Sequence, residues 1–163
     1  MSPEDLLSEL SVKIYELPLS QIRDSGDIED VSNPICVLML LIDFDTEVSM
    51  NGIVSFLANS TGQYAKETVA ALERIGCLEQ AKKLADILAV AAEAGMTHEA
   101  IRSDRSTVQP YAVATFAKLH GEKWVNAVAR IEAIHDDMDM RKVFDNAEQF
   151  IVQHRAIVEE ALG

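Results

Sequence analysis

The sequence predicts an all-α fold in a single domain spanning residues 1–163, and three observations carry that prediction. Apolar residues recur at three- and four-residue intervals in nearly every segment, the spacing that puts them on one face of a helix. Capping residues, prolines and glycines bracket those segments as helix starts and stops. No stretch alternates apolar and polar residues for long enough to make a strand. Composition agrees, since a chain 48% apolar but only 6% aromatic favours close-packed helices over a sheet and argues against disorder. Its 163 residues are enough for one domain and too few to call for two.

Taken in order, the first helix opens at Ser2 and Pro3, with Asp5 completing a capping box. Leu6, Leu7, Leu10, Ile14 and Leu17 form its apolar stripe as far as Pro18. Residues 19–32, LSQIRDSGDIEDVS, are the longest irregular stretch; Asp24, Asp27, Glu29 and Asp30 in it are either an acidic loop or a partner surface. Asn33 caps the next helix and Pro34 opens it. Residues 35–42 are apolar all round, which places this helix at the centre of the core. It emerges at Asp43-Phe44-Asp45-Thr46-Glu47, read as surface charge at the end of a buried helix. The alternating acids resemble a calcium loop only superficially: position six, which needs glycine, is Val48, and position twelve, which needs glutamate, is Val54.

Residues 50–76, MNGIVSFLANSTGQYAKETVAALERIG, organise the middle of the chain. Ile53, Val54, Phe56 and Leu57 make a short apolar helix, and Asn59-Ser60-Thr61-Gly62 supplies a turn and the next N-cap. A longer helix carrying Tyr64, Val69, Leu72 and Ile75 then closes at Gly76. Residues 78–94 form an Ala- and Leu-rich helix closed by Gly95, with Glu79, Lys82, Lys83 and Asp86 on its solvated face. Thr97 caps a short segment, and residues 103–107 are a polar connection. Gln109-Pro110 precedes a helix with Tyr111, Val113, Phe116 and Leu119 that stops near His120-Gly121. Trp124, Val125, Val128, Ile131 and Ile134 continue at helical spacing to His135, and residues 143–162 form one closing helix. Cys36 and Cys77 sit in apolar runs and read as buried free thiols.

The formal charge of −13 is unevenly spread. Residues 1–50 hold eleven acids and two bases, net −9; residues 51–131 hold eight and nine, net +1; residues 132–163 hold eight and three, net −5. The excess therefore lies at the two ends of the chain. Such acidity disfavours direct duplex binding, which depends on Lys and Arg neutralising phosphates, and disfavours an anionic membrane surface as well. No apolar run is long enough to span a bilayer, and the N-terminus has no basic region, apolar signal core or cleavage pattern, so a cytoplasmic protein is expected.

Little in the sequence points to catalysis, and no enzymatic activity is expected. The seven glycines lie singly, so there is no phosphate-binding loop. There is no Gly-x-Ser-x-Gly elbow, and neither cysteine has a nucleophile's local context. His135-Asp136-Asp137-Met138-Asp139 is the one constellation with ligand chemistry, resembling the His-Asp dyad of metal phosphohydrolases. His98, His120 and His154 are scattered singly and supply no ligand pair, so no metal or cofactor is expected. The dyad reads instead as a charged helix junction or, with Asp145 and Glu148, a second acidic patch.

From Gly52, the pattern Gly-Ile-x-x-Phe-Leu-x-Asn-Ser-Thr-Gly, then Tyr64-Ala65 and a later Ala-Leu-x-x-Ile-Gly, resembles the signature of a bacterial family of unknown function. That family includes an acidic DNA-mimic protein. Met50-Asn51 stands where Asn-Gly is usual, Ile53 replaces an aromatic residue and Ser55 a glutamine. The resemblance implies a scaffold more than a chemistry. It also implies a homodimer and, as partner, a basic DNA-binding protein, a transcription factor whose DNA-binding surface the acidic protein occupies. The candidate phosphate-mimicking residues are Asp24, Asp27, Glu29, Asp30, Asp43, Asp45 and Glu47, with Asp136, Asp137, Asp139, Asp145 and Glu148 as a second group. The alternative is a helical protein-interaction module whose acidity serves solubility.

Overall fold

The computed structural model describes residues 1–100 and 122–163, and among them every regular element is helical. The polar connection at 103–107 and the helix expected after Pro110 lie outside the described residues. α1 (Pro3–Lys13) begins as its sequence dictates: the Ser2 hydroxyl accepts from the Asp5 amide at 3.1 Å and the Asp5 carboxylate accepts from the Ser2 amide at 2.9 Å. It ends at Lys13, before Leu17, which is exposed.

Residues 19–32 are more ordered than a loop. They contain a short helix α2 (Ser20–Asp24) and a 3-10 turn (Asp27–Glu29). Leu19 and Ile28 are buried at either end, and Gly26, at φ +84°, reverses the chain between them. Two apolar anchors nine residues apart hold a polar segment that has no amphipathic stripe of its own.

α3 (Pro34–Asn51) is the central element. The Asn33 side chain caps it by accepting from the Ile35 amide at 2.9 Å, and every residue from Pro34 to Phe44 is buried. It does not end near Asp43 but continues to Asn51, where Gly52 takes φ +84°. α4 (Ile53–Ala58), a 3-10 turn (Ser60–Tyr64) and α5 (Ala65–Arg74) follow. The expected N-cap among residues 59–62 is corrected: α5 starts behind Tyr64 with no side-chain cap. Asn59 instead donates its amide to Glu47 on α3 at 2.6 Å. Gly62 is buried so close to α4 that a Cβ would lie 2.5 Å from the Leu57 carbonyl oxygen and would also meet that of Phe56.

α6 (Leu78–Glu93) follows Gly76, which takes the left-handed conformation, and is closed by Gly95. α7 (Glu122–Asp136) buries Trp124, Ala127 and Ile131 but leaves Val125 exposed. The single closing helix is in fact two, α8 (Met140–Gln153) and α9 (Arg155–Leu162), broken at His154. The break follows from packing. α8 lies on α1, whereas α9 reaches both α1 and α3, so one straight axis would not serve both contacts.

α3 packs against α4, α5 and α9; α6 lies between α5 and α7; α1 rests on α8 and α9. One apolar core runs through all of them, from Leu6 to Val158, with Phe44 and Phe56 meeting edge to face at 4.9 Å. α8 is also tied to the α5–α6 corner, where the Asn146 amide donates to the Ile75 carbonyl at 2.9 Å. Both cysteines are buried and free. Burial, reinforced by the charges of Asp30 and Asp27, pushes the Cys36 thiol up to about 11.

Candidate functional site

The acidic residues of the first half stand on α2, the turn that follows it and α3. Asp24, Asp27 and Asp30 are exposed. Asp27 and Asp30 are also held: Ser25 Oγ donates to Asp27 at 2.7 Å, and Ser32 donates both its hydroxyl, at 2.5 Å, and its amide, at 3.0 Å, to one Asp30 oxygen. Those Ser32 bonds keep the Asp30 carboxyl below its ordinary range. The Cys36 thiol lies 3.4 Å from the Asp27 carbonyl, tying the turn to α3. Glu29 is exposed at the lip of a cleft of about 420 Å³ whose walls include Lys66, Glu67, His98 and Glu99.

Asp43 departs from the expected surface position. It is 5% exposed, and Arg23 grips it with a fork: Nε to Oδ2 at 3.1 Å, and Nη2 to Oδ1 and Oδ2, both at 2.9 Å. The Tyr15 hydroxyl also donates to Asp43 at 3.2 Å. Burial raises the Asp43 carboxyl above its usual value, while Arg23 and then the Tyr15 bond pull it back. The reason for the misplacement is helical geometry. Alternating positions line one side of a strand, but in a helix Asp43 and Asp45 point about 200° apart. Because α3 continues to Asn51, Asp43 stays inside, and Asp45 and Glu47 are half-buried. Asp45 accepts from Ser49 at 3.3 Å, and burial raises its carboxyl.

The second group surrounds the α7–α8 junction, pinned by the buried Met138. Asp136 and Asp137 are exposed, and Asp137 pairs with Lys83 of α6 at 2.9 Å. Asp139 is the N-cap of α8, accepting from the Lys142 amide at 3.2 Å. Asp145 is exposed and Glu148 half-buried, three residues apart on one side of α8. His135 is half-buried, which lowers its imidazole below the ordinary value. Among the described residues no set of three or more His, Cys, Asp or Glu side chains is placed to hold a metal. Nor is any described helix long and apolar enough to cross a membrane.

The fold brings the two acidic ends of the chain together. α1 lies against α8 and α9, and Arg155 donates to the Met1 carbonyl at 3.1 Å. Glu4 and Glu16 of the first segment, and Glu159 and Glu160 of α9, are further exposed acids that no motif singled out. Their only sequence signal was the regional charge count. The two groups differ in purity, because Arg141 and Lys142 are exposed within the second. In the first, Arg23 is the only Lys or Arg between Lys13 and Lys66, and it faces inward.

The signature around Gly52 now has a physical reading: Asn59 ties the turn to α3, Gly62 permits its close approach, and Phe56 and Leu57 fill the core. The DMP19-like protein family model matches residues 29–154. The chain belongs to the DMP19-like protein family. This is the DNA-mimic family to which the resemblance pointed. No curated protein and no solved structure matches the chain. The DMP19-like match takes in Glu29 and Asp30, α3 and the α7–α8 junction, but not α1 or the residues before Glu29.

Proposed function

We propose that the protein is a DNA mimic that occupies the DNA-binding surface of a basic transcription factor and so blocks its access to DNA. The observation that carries this reading is a set of exposed carboxylates, two of them fixed by serines, on a segment of chain whose one cation, Arg23, is paired with the buried Asp43. A phosphate backbone is likewise a line of fixed anions, and a protein surface shaped to neutralise one is complementary to such a set. DMP19-like family membership supports the same reading. The mimic acts in the cytoplasm without catalysis, and as a homodimer. Duplex DNA carries about one charge per 1.7 Å of axis, so a two-fold pair offers twice the length of mimicking surface.

A second reading, a helical interaction module acidic for solubility, draws on Val12, Tyr15 and Leu17, which are 61%, 54% and 72% exposed. One experiment separates the two: capture of partners from a bacterial lysate at low and high salt, with duplex DNA as competitor. Mimicry predicts recovery of a basic DNA-binding protein that is released by salt or by DNA. A partner that resists both would replace mimicry with the interaction module.

A further inference from the structure

We infer that Arg23 is the positioning residue of the acidic strip at residues 24–30, holding its carboxylates in one arrangement while keeping its own charge off the surface they form. What the strip binds rests on the DNA-mimic reading; the clamp itself does not.

Arg23 joins three elements at once. Its fork closes on both oxygens of Asp43 in α3, its Nη1 donates to the Ile14 carbonyl at the end of α1 at 3.3 Å, and it lies over the Tyr15 ring at 5.3 Å. Asp24 is the next residue, so the strip begins where the clamp ends. The far side is fixed by Ile28, fully buried, and by the Cys36 contact to the Asp27 carbonyl. A planar guanidinium can satisfy a carboxylate and a carbonyl together, which a lysine ammonium on a flexible stem does not reproduce. The second consequence is electrostatic. A free cation beside Asp24 would offset part of the strip's field, and the buried Asp43 cancels that charge where it costs the surface nothing.

Positioning and net charge predict opposite signs. Arg23→Gln makes the protein more negative, so charge alone predicts tighter binding to a cationic partner, whereas loss of the clamp predicts weaker binding. The probe is a synthetic Ala-based helical peptide with arginines at four-residue intervals, a stand-in for a basic recognition helix. It is titrated by NMR against the full chain, Arg23→Gln and Arg23→Lys, and amide exchange is followed at residues 19–32 and in α3 and α6. The double variant R23M/D43L, which leaves the net charge unchanged, covers failure of a single variant to fold.

In the original chain the peptide should perturb residues 24–30. In the variants, exchange there should quicken about tenfold with α3 and α6 unchanged, and peptide affinity should fall about tenfold with a flatter salt dependence. Unchanged exchange and affinity, or tighter binding by Arg23→Gln, would overturn the proposal. Should the original chain ignore the peptide while exchange behaves as expected, the clamp stands and the DNA-mimic reading fails.

Discussion

Gly62→Ala tests how the signature works. The added methyl would sit 2.5 Å from the Leu57 carbonyl oxygen and 2.8 Å from its carbon, and would also strike the Phe56 carbonyl oxygen. All three obstacles are backbone atoms of α4, so no side-chain rotation relieves the clash. Restoring an ordinary contact requires a shift of about 1 Å between the 3-10 turn and α4, in a region anchored by Phe56 and Leu57, both nearly fully buried. Overpacking of this kind costs about 1–3 kcal/mol, and the rigidity of the obstacles puts this site at the upper end. The lost flexibility of the unfolded chain returns only about 0.4–1 kcal/mol, so the net effect is a destabilisation of roughly 2 kcal/mol. For a chain of this size that lowers the melting temperature by roughly 4–8 °C. Urea unfolding followed by circular dichroism measures it, a lower midpoint at unchanged denaturant slope showing that stability, and not the surface exposed on unfolding, has changed. A cost below about 0.5 kcal/mol would mean that the turn moves freely and that the close approach is not what the glycine provides.

Four further outcomes are expected. Asp43→Asn should cost about 3 kcal/mol by stripping Arg23 of its buried partner, while Asp24→Asn should stay within about 0.5 kcal/mol; equal costs in urea would contradict the inward placement of Asp43. Asp139→Ala should cost about 1 kcal/mol as a lost N-cap, whereas Asp139→Asn, which still caps, should be nearly neutral in the same assay. Ser32→Ala should raise the Asp30 titration toward the ordinary carboxylate value in an NMR pH series. Because Asp30 is depressed in the folded state, its contribution to stability is present above the unfolded value and lost as pH falls through the folded one, so the variant should show less of that acid sensitivity. Cys36, raised to about 11 and buried, should ignore a thiol reagent at neutral pH until the protein is unfolded; rapid labelling of the folded chain would refute its burial.

The helices were readable because their signals are local. The Ser2-Pro3-Asp5 start, the Asn33-Pro34 start and the glycines after α5 and α6 each act over a single turn, and the all-apolar run in α3 has no way to satisfy water. The break at His154 was invisible to periodicity, because Phe150 and Val158 both fit one continuous stripe and only the differing partners of α8 and α9 divide it. Residues 19–32 looked irregular for a similar reason: the turn carrying Ile28 packs on α3, and Arg23 is held by the Ile14 carbonyl at the end of α1 and by Asp43 of α3, not by neighbours in sequence.

The sequence by itself determined the helical class, the central helix, the family and the concentration of acid at the two ends of the chain. Only the tertiary structure decided which acids face outward. Asp24 and Asp43 are the same residue type within one acidic region, yet one is solvated and the other is buried against a guanidinium from twenty residues away. Charge is a property of a residue, but exposure is a property of the packing around it, and the partner that neutralises a carboxylate arrives through the fold and not through the spacing.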